Sequence, residues 1–137
     1  MTYNAPHSII NDNLFKNLKN FKSVVLFGTG NLGKIALKSI EKTGIKIEAI
    51  ADNDKSKWGK KWNNYKVISP IDFKNLNKDT CIIVASLRFI YMKKQCQTEN
   101  NNIQVFDFDF LLKNIDLAEC ETEWSVDRCK EELDLYV

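Results

Sequence analysis

Short apolar runs alternate with amphipathic stretches along this chain, which is the pattern of β-strands separated by helices. Apolar runs of strand length occur at 23–27, 45–51, 67–68, 81–85 and 103–108. The fourth run is continuously apolar and the second has apolar residues on both parities, as expected for strands of a parallel sheet that is covered on both faces. The pattern therefore predicts about five parallel strands.

Apolar residues at helical spacing and helix-end signals fill the intervals between these runs. They predict an amphipathic helix over 8–20, a helix over 31–43 ended by Gly44, a short helix capped by Ser69 that ends near Asn77, and a helix over 88–99. Residues 52–65 are predicted to form a loop. Right-handed crossovers then give an α/β fold: a three-layer Rossmann-like parallel sheet in the order 3-2-1-4-5, with helices on both faces.

The C-terminal part of the chain differs from the rest in composition. Residues 116–122 are acidic and have no apolar period, and an apolar stripe at helical spacing follows: Val126, Cys129, Leu133 and Tyr136. We interpret 1–115 as one Rossmann-like nucleotide-binding domain that includes the N-terminal helix. Residues 116–137 are predicted to be an acidic helical extension that packs on this domain, on a second copy or on a following domain.

The first strand runs into Gly28-Thr29-Gly30-Asn31-Leu32-Gly33, which has the G-x-G-x-x-G spacing of nucleotide-binding turns. Gly28 permits a tight turn, Gly30 leaves room for a phosphate beside the backbone, and Gly33 allows the helix to pack closely on the strand. The helix N-terminus at Asn31–Leu32 presents N–H groups and a partial positive charge to an anion. All six residues are predicted to bind the ligand.

Four further residues are predicted to belong to the same site. Asp52 ends the second strand roughly 20 residues after the glycines, where a carboxylate accepts hydrogen bonds from ribose, and Asn53 follows it. Ser86 and Arg88 follow the fourth strand at the same sheet edge, as a hydrogen-bond donor and an anion partner. The structural alternative is that the glycines serve packing only, Asp52 caps a loop, and Ser86 and Arg88 are a helix cap and a solvated side chain.

The predicted ligand is NAD(P), with a nucleotide-sugar as the alternative. Asp52 repels a 2′-phosphate, which favours NAD, but Lys55 and Lys57 are close enough in sequence to compensate. A small SAM-dependent methyltransferase is a weaker hypothesis, because the sheet lacks the extra strands and a substrate region. Trp58 and Trp62 either stack on a base or sugar or anchor the loop that contains them.

Convincing catalytic groups are missing from the sequence. The only histidine, His7, lies in a polar stretch, and Tyr91 is followed four positions later by Gln95 instead of the lysine of a Tyr-x-x-x-Lys pair. The four cysteines lack C-x-x-C spacing, so no metal site is predicted, and Cys81 is expected in the core. We expect no catalysis by this chain alone; the alternative to ligand binding is a non-catalytic interaction or dimerisation module with a vestigial site.

The charge and the hydropathy of the chain limit which partners are expected. The net charge is +2 and the lysines are dispersed, from which we predict no nucleic-acid partner. No apolar run approaches the length that spans a bilayer, and the N-terminal residues do not resemble a signal peptide. The expected protein is cytoplasmic and not inserted in a membrane; its partners are a small-molecule nucleotide and a second copy or a downstream catalytic domain.

Four segments together are more specific than the glycines alone: 25–34 with the glycine turn, 50–54 ending in Asp-Asn-Asp, 57–60 with Lys-Trp-Gly-Lys, and 67–70 with Val-Ile-Ser-Pro. They resemble the Rossmann-like domain attached to FkbM-type methyltransferases and other polysaccharide or nucleotide-sugar biosynthesis proteins. They are also similar to the N-terminal domain of bacterial sugar acyltransferases. The resemblance covers roughly residues 22–112. It implies a role in surface-sugar modification, with a nucleotide held by the glycines and Asp52, and it brings no catalytic residue.

Overall fold

Residue 16 and residues 18–108 are described by the structure, a computed structural model. The helices and strands are β1 (Ser23–Phe27), α1 (Asn31–Thr43), β2 (Lys46–Ala51), β3 (Lys61–Trp62), β4 (Tyr65–Ile68), β5 (Thr80–Val84), α2 (Phe89–Glu99) and β6 (Gln104–Asp107). Two 3-10 helices, Lys55–Lys57 and Pro70–Asn75, lie in the connections. Strands and helices therefore alternate, except where the β3–β4 hairpin interrupts the pattern.

The six strands form a sheet in the order β3-β4-β2-β1-β5-β6. Every neighbouring pair is parallel except β3 with β4. The five parallel strands follow the predicted order 3-2-1-4-5, and the α/β Rossmann-like class is confirmed. Within the described residues, β3 forms one edge of the sheet and β6 the other.

The sixth strand, β3, was not expected, because 52–65 was predicted to be a loop. This segment contains the 3-10 helix Lys55–Lys57 and a hairpin in which β3 pairs antiparallel with β4. Asn63 and Asn64 make the turn with φ of 50° and 70°. Asparagine tolerates this left-handed conformation, and a pair of such residues matches the twist of a two-residue hairpin. A strand of two residues is too short for an apolar period to show in the sequence.

The two faces of the sheet are covered by different helices. Residues of β1 alternate between them, with Val24 and Leu26 towards α1 and Val25 and Phe27 towards α2. The α1 side buries Leu32, Ala36, Leu37 and Ile40 of the helix together with Ile50, Cys81 and Ile83 of the sheet. The α2 side buries Phe73, Met92, Cys96, Ile82 and Val84. Cys81 is fully buried, which confirms its assignment to the core.

The helix-end signals act as the sequence indicated. Gly44 ends α1 in the left-handed conformation, with its N–H donating to the Glu41 carbonyl. The Ser69 hydroxyl accepts from the Ile71 N–H and caps the helix that begins at Pro70. This helix is of the 3-10 type and ends at Asn75, slightly earlier than expected. These caps fix where α1 ends and where the 3-10 helix Pro70–Asn75 begins.

Several expectations lie outside the described residues: most of the helix over 8–20, the extension over 116–137, and the domain boundary between residues 115 and 116. Within residue 16 and residues 18–108, no helix is both long enough and apolar enough to cross a membrane.

Candidate functional site

The glycine turn lies at the carboxyl edge of the sheet, held between the ends of β2 and β5. The Gly28 N–H donates to the Ala51 carbonyl at 2.9 Å, and the Ala85 N–H donates to the Phe27 carbonyl at 2.9 Å. Gly28 has a φ of +123°, and a Cβ at this position would lie 2.7 Å from the Ala85 carbonyl oxygen. Both the conformation and the space therefore require glycine, as the tight-turn prediction proposed.

The other two glycines of the motif, Gly33 and Gly30, differ in whether the fold requires a residue without a side chain. A Cβ on Gly33 would collide with the Gly28 carbonyl oxygen, so Gly33 allows α1 to start directly against the turn. Gly30 precedes α1 with φ −76° and ψ −161°, an extended conformation that any residue adopts, and it is exposed. The backbone conformation at Gly30 does not require glycine. The missing side chain leaves the surface open at the N-terminus of α1.

This N-terminus has the electrostatic character of an anion site. The first turn of α1 contains no acidic residue, so no carboxylate of this turn offsets the partial positive charge of the helix dipole. The neighbouring strands β1 and β5 send their helices to opposite faces of the sheet. A crevice outside the carboxyl ends of such strands is where open α/β sheets bind ligands.

Asp52 ties the end of β2 to the glycine turn. Its Oδ2 accepts from the Thr29 N–H at 3.1 Å and from the Thr29 hydroxyl at 2.6 Å. Its Oδ1 accepts from the Asp54 N–H at 2.8 Å. Thr29 is buried and the Asp52 side chain is only 16% exposed. The structure thus brings two predicted site residues together, and the Asp52 carboxylate braces the turn.

Lys57 also lies at the candidate site, and its contacts there could not be predicted from the sequence. Its ammonium donates to the Thr29 hydroxyl oxygen at 2.7 Å and lies 4.0 Å from Asp52 Oδ2. The side chain is 44% exposed, so its charge also faces solvent at the turn. The sequence marked Lys57 only as a charge near Asp52; its spacing from Asp52 shows no period that predicts contact with Thr29.

A capped 3-10 helix positions Lys57. The Asp54 carboxylate accepts from the Ser56 hydroxyl at 2.7 Å and from the Ser56 N–H at 3.0 Å, which caps the helix Lys55–Lys57. These hydrogen bonds from Ser56 to the ionised form hold the pKa of Asp54 below its ordinary value, and Lys57 and Lys60 add to the effect. The cap therefore favours the charged carboxylate at neutral pH.

Both tryptophans of this segment anchor it. The Trp58 indole N–H donates to the Asp52 carbonyl at 2.7 Å. Trp62 is partly buried against the α1-side core, and its ring edge lies 3.7 Å from where a Gly33 Cβ would be. Of the two roles left open by the sequence, the structure shows the anchoring one.

The remaining predicted residues lie at the same carboxyl edge of the sheet, after β2 and after β5. Asn53 and Gln95 exchange two side-chain hydrogen bonds, at 3.1 and 2.6 Å, which join the end of β2 to α2. The Ser86 hydroxyl accepts from the Arg88 N–H at 3.0 Å, so Ser86 acts as a turn-forming residue before α2. Arg88 is exposed. The fold therefore places Ser86 and Arg88 directly after Ala85, whose carbonyl adjoins Gly28.

The sequence profile of the family described as C2185-like, N-terminal matches residues 20–106. The chain belongs to this family. The matched residues of this C2185-like, N-terminal domain include the whole glycine turn, Asp52, Lys57 and Arg88. No curated protein matches the sequence.

Solved structures with a similar fold include RSP, a Rex-family repressor, at 18% identity and a TM-score of 0.50 over 91% of this chain and 67% of RSP. RSP in complex with β-NAD⁺ and operator DNA is similar at 17% identity and 0.50, over 91% and 64%. A chorismate mutase/shikimate 5-dehydrogenase fusion protein from Clostridium acetobutylicum reaches 14% and 0.49, over 96% and 61%. This chain thus spans about two thirds or less of these structures, and the likeness to RSP establishes the Rossmann-like fold.

The exclusion of nucleic-acid partners was wrong. RSP, which shares the fold, has been solved with operator DNA. The small net charge behind the exclusion also hides an asymmetry in this chain. Residues 1–108 contain 17 Lys and Arg against 9 Asp and Glu, whereas residues 109–137 contain 3 against 9. The domain is therefore considerably more basic than the net charge of +2 indicates.

The resemblance drawn from the four motif segments is confirmed in its coarse part, the Rossmann-like class. The matching family is C2185-like, N-terminal. The association with FkbM-type methyltransferases or sugar acyltransferases remains a prediction.

Proposed function

We propose that this domain binds a nucleotide, NAD(P) foremost, in the crevice above the glycine turn. The observation that supports this most strongly is Gly30. Gly28 and Gly33 are required by the fold, whereas Gly30 is exposed in an ordinary extended conformation at the start of α1. An approaching phosphate is the physical reason for a missing side chain at this position.

The charges around the turn favour a ligand with phosphate groups. Lys57 places an ammonium against Thr29, and the first turn of α1 is free of acidic residues. Both features stabilise an anion near the helix N-terminus. RSP shares the fold and has been solved with β-NAD⁺, which makes NAD the first ligand to test.

Asp52 would contact the ribose while it still braces the turn. A carboxylate has about four acceptor positions. Thr29 donates twice to Oδ2, and Asp54 donates once to Oδ1. A ribose hydroxyl would therefore use Oδ1, with no break of the bonds to Thr29.

Calorimetry on the full chain tests the proposal with NAD⁺, NADH, NADP⁺, a UDP-sugar and SAM. A valine at Gly30 fits the backbone but fills the space of the phosphate, so Gly30→Val should weaken binding at least about tenfold, or 1.4 kcal/mol. Lys38→Ala, at an exposed position further along α1, is the control and should bind like the wild type. No binding of any of the five ligands at millimolar concentration contradicts the proposal, and so does unchanged affinity in Gly30→Val.

A second candidate function is a non-catalytic interaction or dimerisation module with a vestigial site. It is favoured by the Asp52 carboxylate, which three donors from the protein itself already engage. Light scattering distinguishes this candidate: it requires self-association or partner binding without nucleotide affinity. A monomer that binds nucleotide excludes it.

The four motif segments further support a place for this domain in a sugar-modifying enzyme, where it would act as the nucleotide-binding part. In that case the UDP-sugar should bind more tightly than NAD⁺ in the same calorimetric series. The reverse order favours the dinucleotide.

A further inference from the structure

We propose that the acidic C-terminal segment, residues 116–137, packs within the same molecule on an exposed surface at the start of α2. This surface, which we call the α2 patch, consists of Arg88, Ile90, Tyr91 and Lys94. The 3-10 helix Pro70–Asn75, which contacts α2, carries a further exposed apolar residue, Ile71. The proposal does not rest on the proposed nucleotide binding, although the patch shares Arg88 with the predicted site, so the experiments below are carried out without nucleotide.

The α2 patch exposes large apolar side chains. Ile90 is 73% exposed and Tyr91 66%, whereas Met92 and Cys96 of the same helix are buried in the core. Lys94 follows Ile90 by four positions and Tyr91 by three, so the three side chains share one helix face. Single exposed apolar residues are ordinary on protein surfaces, but here two are adjacent and bordered by cations.

The C-terminal segment has the complementary pattern. Its apolar residues recur at helical spacing on one stripe: Val126, Cys129, Leu133 and Tyr136. A helix with such a stripe needs an apolar surface to cover it. Acidic residues outnumber basic ones 9 to 3 over 109–137. Arg88 and Lys94 at the patch give these acidic residues charge partners.

The chain leaves the sheet beside the α2 patch. β6 is parallel to β5, with Asp107 paired to Val84, so both strands end at the carboxyl edge. The helix α2 begins just after β5, at the same edge. The residues between Phe108 and Val126 span several tens of ångströms when extended, at about 3.3 Å per residue. The stripe therefore reaches the patch without strain.

On the opposite face of the sheet, the described helix α1 offers no comparable surface. The exposed residues of α1 are all polar or charged: Asn31, Lys34, Lys38, Glu41 and Lys42. A cationic face without apolar side chains would attract the acidic residues but leave the stripe in water. The combination of apolar and basic groups favours α2.

Disulfide trapping in the full chain tests the proposal, with Tyr91→Cys placed to meet the native Cys129 and Cys120→Ser to remove the other tail thiol. Cys81 and Cys96 do not compete, because burial raises the pKa of each thiol to about 12. Lys38→Cys on α1 is the matched exposed control. The intramolecular disulfide should form at least about tenfold more in Tyr91→Cys than in Lys38→Cys, because docking raises the effective concentration.

Equal yields in the two variants would overturn the proposal, and so would disulfides that join two molecules, which indicate a second copy as the occupant. Amide hydrogen exchange gives a check without new cysteines. Leu133→Asp should expose residues 90–94 to faster exchange than in the wild type. Thr122→Asp, which adds the same charge outside the stripe, should not. Unchanged exchange in Leu133→Asp contradicts docking.

Discussion

Gly28 and Gly30 lie two positions apart in the same turn, but the local structure requires glycine only at the first of them. Gly28 has a positive φ and no room for a Cβ beside Ala85, whereas Gly30 has an ordinary φ and is exposed. Gly28→Ala should therefore lower the free energy of unfolding by about 2 kcal/mol or more. Gly30→Ala should change it by less than about 1 kcal/mol. Urea denaturation of both variants measures the difference.

Equal losses of stability in the two variants would contradict this division of roles. The melting temperature of Gly30→Val, measured alongside, supports the binding test, because a variant that stays folded but binds weakly isolates the ligand contact. The Gly28 variant cannot serve that purpose.

Asp52 has a larger structural role than its place in the motif indicates. The buried Thr29 N–H and the Thr29 hydroxyl both donate to its Oδ2. Asp52→Ala removes the acceptor and should cost about 1–3 kcal/mol of unfolding free energy. The change should therefore affect the stability of the fold as well as any contact with a ribose. Chemical denaturation is the measurement.

A double-mutant cycle with Thr29→Val distinguishes loss of the hydrogen bond between the Thr29 hydroxyl and the Asp52 carboxylate from other effects of replacing Asp52. The two changes remove the same hydrogen bond between hydroxyl and carboxylate, so their effects should not add. Additive losses would show that the carboxylate does not stabilise the turn through the Thr29 hydroxyl.

At the scale of elements, the 3-10 helix Lys55–Lys57 depends on an ionised cap. Hydrogen bonds from Ser56 lower the pKa of Asp54 in the folded state. A lowered folded pKa adds stability that is present above the unfolded value of about 3.9 and is lost as the pH falls through the folded pKa. NMR titration should find the pKa of Asp54 below its ordinary value, and Ser56→Ala should raise it. An Asp54 pKa that Ser56→Ala leaves unchanged would exclude the cap as its cause.

The sequence predicted the parallel strands well for a physical reason. The central strands β1 and β5 are buried along their whole length, so the residues that face either side of the sheet are mostly apolar. Each strand is therefore easily recognised in the sequence as a nearly continuous apolar run. The sequence pattern did not predict the β3–β4 hairpin, because the hairpin depends on two asparagines with positive φ and on a strand of only two residues. Local turn chemistry of this kind leaves no period to detect.

The candidate site was predictable in its position but not in its contacts. The glycine spacing and the strand end at Asp52 both follow from the order of elements along the chain. The hydrogen bonds that join Thr29, Asp52 and Lys57 depend on side chains brought together from separate elements. Spacing along one strand or helix does not encode such contacts. Their effect is that a carboxylate expected to face a ligand also supports the turn.

At the scale of the whole molecule, two thiols report on the two halves of the core. Cys81 is buried on the α1 side of the sheet and Cys96 on the α2 side. Burial raises the pKa of both to about 12, so neither should react with a thiol reagent in the native protein at pH 8. Under mild denaturation both should be labelled at the same rate, because the central sheet joins the halves into one cooperative unit. Mass spectrometry of the alkylated peptides measures each rate.

Labelling of one thiol well before the other would mean that one face opens on its own. The α2 side is expected to open first, because it includes a 3-10 helix of six residues and the shorter of the two described α-helices. Equal labelling rates would show that the helices on the two faces of the sheet unfold together.

The two edges of the sheet also differ in what they permit. At one edge, β3 has only two residues, and Lys61 pairs with Lys66 across the hairpin. A short, charged strand of this kind is a poor template for another strand. At the other edge, β6 continues the parallel register of β5 over four residues. Among the described residues, a strand added to this sheet, by another part of the chain or by another protein, should therefore pair with β6 rather than with the two-residue β3.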